Sequence, residues 1–165
     1  MKYFENLTAE ELLTIENAVP QIAILVAGAD GVIDADEKEW AKKLTSIRGF
    51  AGDKWLNDLY DQIDVNFSIQ FNDMLKKLPT DVAKRQQVLS ESLAKVNPIL
   101  AKLDQSTAYK LYHSYVTYAE QIAKASGGLF GFGTISRDEK KWLNLSMIAP
   151  VSEPVEDADM PSESK

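Results

Sequence analysis

Asp30, Asp34 and Glu37 fall within eight residues of one another, and a second acidic pair, Asp138 and Glu139, recurs about a hundred residues later. Carboxylates held close together repel, and a divalent cation relieves that repulsion. Coordination of calcium, magnesium or manganese is therefore the first chemistry this spacing suggests. Asp30-Gly31, Ile33-Asp34 and Glu37 match the second half of an EF-hand loop. The first half fails, because Val26 and Gly28 stand where calcium requires oxygen-bearing side chains. A looser site would combine Asp30, Asp34 and Glu37 with carboxylates from elsewhere, for which Asp138 and Glu139 are the candidates. The competing reading is purely structural: helix capping and turn formation already account for Asp34, Glu37 and Gly31.

The elements that would position these residues form an internal repeat, Val19 to Trp40 and Tyr118 to Trp142. Each copy runs from an apolar helix through a turn into a second helix. Asp34 stands three residues before Glu37, and Ser136 three before Glu139, which is the spacing of a capping box. Asp36 and Asp138 add negative charge to the first turn, where the helix dipole favours it. Gly31 and Gly127 sit where each preceding helix is expected to end. Ile33 and Ile135 precede each cap, and Trp40 and Trp142 follow it by six residues. Both tryptophans are expected to anchor their helices in the core. The second copy carries the longer insert, Gly128 to Gly133, where the first has only Val32.

The pattern Ala27-x-Ala29-Asp30-Gly31-x-Ile33-Asp34-x-x-Glu37 resembles the tellurite-resistance TerB-like family. The resemblance covers about residues 8–148 and rests on the two short motifs. It implies an all-helical, pseudo-symmetric domain, a bacterial stress-linked or accessory role, and a divalent-cation site. Ser126 and Ser136 replace Asp30 and Asp34 in the second copy, which argues against two equivalent metal sites.

Bulk properties restrict the alternatives. At 165 residues, with 45% hydrophobic and 26% charged residues, the chain suits one globular domain with a sizeable core. It has no cysteine, which removes disulfides and thiolate metal sites and is compatible with a reducing, cytoplasmic setting. The N-terminal stretch lacks the pattern of a cleaved signal peptide. The longest apolar run, Val19 to Ala29, is shorter than the ~20 residues a membrane span needs. Net charge is −7 without a basic stripe, so no nucleic-acid partner is expected. Residues 149–165 are acidic and carry Pro150, Pro154 and Pro161, which predicts a disordered tail following a domain of residues 1–148.

Every segment before the tail reads as helix. Thr8 and Glu11 form a capping box, and Pro20 predicts a break near Val19. The stretch from Pro20 to Ala29 is apolar nearly all round and is expected at the buried centre. A third helix spans about Ala35 to Arg48, with Asp53, Thr80 and Asp104 capping later ones. The expected fold is an all-α, single-domain bundle of about seven or eight helices with a pseudo-twofold repeat.

Other motifs carry less. Gly128 to Thr134 has the spacing of a phosphate loop but lacks its lysine and a preceding strand. What remains is a glycine loop bearing Leu129, Phe130 and Phe132, which would contact a protein partner or a membrane surface if exposed and the core if tucked in. His113 has no second histidine or cysteine for a metal and no nucleophile motif to serve. The tyrosines Tyr109, Tyr112, Tyr115 and Tyr118 wind round their helix as packing groups, with hydroxyls expected to reach solvent. The expectation is a non-enzymatic accessory module, with a cation at the acidic turn or, alternatively, as a metal-independent adaptor using loop 127–134.

Overall fold

The computed structural model describes residues 2–49, 53–129, 135 and 137–155. The described chain is all-helical. After a short 3-10 segment, Lys2–Phe4, come α1 (Ala9–Ala27), a 3-10 turn (Gly28–Asp30), α2 (Ala35–Arg48), α3 (Lys54–Lys77), α4 (Val82–Ala94), α5 (Asn97–Leu100), α6 (Gln105–Leu129) and α7 (Arg137–Lys140). Only five of these exceed a single turn of four residues, fewer than the seven or eight helices the spacing predicts. The difference arises because helices merge. α1 runs through Pro20, and α3 carries both apolar runs of the middle third without interruption.

Pro20 offers no N–H to the helical ladder, and its ring crowds the carbonyl four residues earlier. Tertiary contacts support that turn. Tyr115 Oη, fully buried on α6, donates to Ile15 O at 2.9 Å. Gln62 Nε2, on α3, donates to Glu16 Oε1 at 2.7 Å. The expected break near Val19 does not occur: α1 continues through Pro20.

α1 is the centre. Ile22, Ala23, Ile24 and Val26 are completely buried, and the helix packs against α6, α3 and α4. Burying each isoleucine or valine of this run stabilises by ~1.5–3 kcal/mol. α1 with its 3-10 continuation, Ala9–Asp30, is 22 residues long and apolar enough to cross a membrane by length and composition; in this bundle 67% of its most apolar window is buried. α2 packs on α3 and on α6.

Two tyrosines expected to reach solvent do not. Tyr115 and Tyr118 are fully buried, and Tyr118 Oη lies 3.1 Å from Ala41 O and 3.0 Å from Thr45 Oγ1. Desolvation raises the pKa of both hydroxyls. The cap of α4 is Asp81, which accepts from Lys84 N at 2.9 Å, rather than Thr80.

Packing continues past residue 148. Asn97 grips the following segment twice, donating through Nδ2 to Met147 O at 3.0 Å and accepting from Ala149 N at 2.7 Å. Val151 packs against the core. The tail from residue 156 onward lies outside the described residues.

Candidate functional site

The acidic turn is built by local chemistry. α1 gives way to the 3-10 turn, which Gly31 ends with φ of +104°, a left-handed value that L side chains rarely adopt. Asp30 Oδ1 then accepts from Val32 N at 3.0 Å, closing an Asx turn. Asp34 and Glu37 form the expected capping box: Glu37 N donates to Asp34 Oδ1 at 2.8 Å and Asp34 N to Glu37 Oε2 at 3.0 Å. Each of the three carboxylates therefore spends an oxygen on neighbouring backbone. Asp30 is exposed, Asp34 half-buried and Glu37 buried.

The second copy is brought to the same end of the bundle, because α7 packs against the 3-10 turn. Asp138 is exposed and Glu139 buried. Yet among the described residues no three Asp, Glu, His or Cys side chains form a group that could hold a metal ion. The five candidate ligands, Asp30, Asp34, Glu37, Asp138 and Glu139, share one pole of the molecule without forming such a group.

The second copy also departs from the first. α6 continues through Gly127 to Leu129, so that glycine does not end the helix, and α7 is one turn where α2 has fourteen residues. Trp142 is 8% exposed, as an anchor should be, but Trp40 is 37% exposed, with Lys43 Nζ 5.2 Å from its ring centre. Trp40 therefore is not the core anchor its position predicts. Ser136, Phe130, Phe132 and the side chain of Leu129 lie outside the described residues, so the second capping box and the glycine–phenylalanine loop do too.

Sequence reasoning missed Arg85. It lies on α4 and is buried, and its Nη2 donates to Gly28 O at 3.0 Å and Gly31 O at 3.2 Å. Gln86 Nε2 adds a bond to Ala29 O at 3.3 Å. Arginine on an amphipathic helix ordinarily faces water, so only the packing of α4 on the turn marks this one. Arg48 at the end of α2 was missed likewise. Its guanidinium lies 5.6 and 5.5 Å from the rings of Tyr60 and Tyr118, and it donates to Ser114 O, Thr117 Oγ1 and Gln121 Oε1, fastening α2 to α6.

His113 is exposed and stacks on Tyr109, with centroids 5.7 Å apart. A groove of about 490 Å³ beside Tyr3 and Trp55 holds Lys54 and Lys110, but these already pair with Asp58 and Asp53. No family model matches this chain, and neither does any curated protein or solved structure.

Proposed function

We propose that this chain is a non-enzymatic accessory module that acts through protein contact, with its acidic turn serving as structure rather than as a metal site. The observation that supports this reading is the commitment of Asp30, Asp34 and Glu37 to backbone N–H groups at 2.8–3.0 Å. Oxygens used as caps hold the turn without a cation, and carboxylates already hydrogen-bonded make weak general bases. The proposed contact element is loop 127–134 with Leu129, Phe130 and Phe132, which follows α6 in sequence. The resemblance to the TerB-like family implies a stress-linked or accessory role for such a module. An internal duplication belongs to the same proposal: α7 of the second copy packs on the turn of the first, and their unequal helices mark divergence.

Thermal unfolding in millimolar calcium, magnesium or manganese at fixed ionic strength tests the metal-independent reading. Wild type and Asp30→Asn are expected to show no cation-specific shift; stabilisation of wild type that Asp30→Asn loses would restore the cation reading. The contact element is tested by changing Leu129, Phe130 and Phe132 to serine. Melting should stay within a few degrees of wild type, whereas a large fall would place these side chains in the core and remove the loop as a contact surface.

A further inference from the structure

Arg85 Nη2 donates to two carbonyls of one turn, Gly28 O and Gly31 O, from a side chain that is only 8% exposed. A buried guanidinium is costly unless its donors are met, so these oxygens must be well placed to receive it. Two glycines place them. A side chain on Gly28 would bring a Cβ to 3.3 Å from Arg85 Nη2 and 3.0 Å from Ile33. The left-handed backbone at Gly31, φ +104°, ends the 3-10 turn, and Arg85 spans from the turn's first carbonyl, Gly28 O, to the carbonyl of this capping glycine. Asp30, Asp34, Asp36 and Glu37 add a negative field around the turn.

We propose that the Gly28–Gly31 carbonyls form a preformed cradle for a guanidinium group, that Arg85 is its built-in occupant, and that the vacated cradle accepts a free guanidinium-class cation. The cradle suits that class better than calcium. It offers two carbonyl oxygens, whereas calcium takes ~6–8 oxygen ligands, and a planar NH₂ group has two hydrogens to direct at them. The proposal rests on reading the turn as a cation-independent structure.

The test uses the full chain with Arg85→Met, which keeps an apolar stem for packing and removes the guanidinium, alongside Arg85→Ala, which opens more space. Melting is followed while methylguanidinium is added at millimolar concentration, against methylammonium and sodium at equal ionic strength. Both variants should melt below wild type. Arg85→Ala should regain part of the loss saturably with methylguanidinium, and much less with methylammonium, while wild type does not respond. Adding Gly28→Ala to Arg85→Ala fills the cradle and should abolish the rescue. If either variant fails to fold alone, recovery of folded protein during refolding with methylguanidinium, and not with methylammonium, supports the proposal. Equal response to all three cations, no response, or the same response in wild type overturns it. A calcium effect on wild type would instead defeat the structural reading of the turn, so the two failures are distinguishable.

Discussion

At the first motif copy, a helix ends in a 3-10 turn, a left-handed glycine reverses the chain, and a capped fourteen-residue helix follows. At the second, a helix of similar sequence runs past its glycine to Leu129, and the helix beyond is a single turn. The matched glycine, isoleucine, glutamate and tryptophan recur, but Ser126 and Ser136 replace Asp30 and Asp34, the second copy carries the longer insert, and Trp40 is more exposed than Trp142. The packing of the copies differs as well. The first turn lies under α4, where Arg85 and Gln86 bond three of its carbonyls. Short motifs therefore specify a local turn, while neighbouring helices decide which of its side chains become core.

The largest test of this contrast compares the tryptophans. Trp142 is 8% exposed and lies in the core cluster, so Trp142→Ala should cost ~3–5 kcal/mol and lower the melting temperature by roughly 10 °C or more. Trp40→Ala, at a position 37% exposed, should cost no more than ~1 kcal/mol. Chemical denaturation of both variants decides the matter; equal losses would mean that the two copies are buried alike.

The glycines give a smaller contrast of opposite sign. Gly31→Ala forces an L side chain into a backbone of φ +104° and brings its Cβ to 3.0 Å from Val82 Cγ2, so a loss of ~1–2 kcal/mol is expected. Gly127 lies inside α6, where Gly→Ala replaces a poor helix former and should gain ~0.5–1 kcal/mol. If Gly127→Ala destabilises instead, the helix propensity of this position does not decide its stability, and the contrast with Gly31 fails.

These contrasts also mark how far the sequence could be read. The capping boxes at Thr8 and Asp34, the left-handed Gly31, the span of α2 and the buried run from Ile22 to Ala27 all follow from local rules, and each is present. The uninterrupted α1 was not legible, because Pro20 is a strong local signal, whereas the helix continues through it packed between α3, α4 and α6. Arg85 was not legible either, because nothing in its own neighbourhood separates a surface arginine from one buried beneath a turn. The candidate ligands were found as residue types, but their oxygens had two available uses, and proximity in sequence could not choose between them.

The smallest expected effect concerns how the two long helices before these turns hold their carboxylates. Glu16, in α1, is buried, and desolvation pushes its carboxyl above the ordinary range, with the hydrogen bond from Gln62 pulling partly back. Asp104 caps α6 from the surface, and the Thr107 N–H it accepts at 3.0 Å holds its pKa below the ordinary value. The signs on stability are opposite. A raised pKa means the folded state binds the Glu16 proton more tightly, so this contribution is present below the unfolded value of about 4.3 and is lost as pH rises through the folded one. The Asp104 contribution is present above about 3.9 and is lost as pH falls through its folded value. Glu16→Gln removes only the first, since a glutamine oxygen can still accept from Gln62. The variant should therefore melt a few degrees above wild type at neutral pH, and the two curves should converge as pH falls through the Glu16 value. The Asp104 loss at still lower pH should remain in both. Melting temperature against pH for the pair is the measurement. A wild type more stable than Glu16→Gln at neutral pH would mean that the bond from Gln62 to a charged carboxylate outweighs burial, and that α1 holds its glutamate as a favourable ion rather than tolerating it beside Pro20.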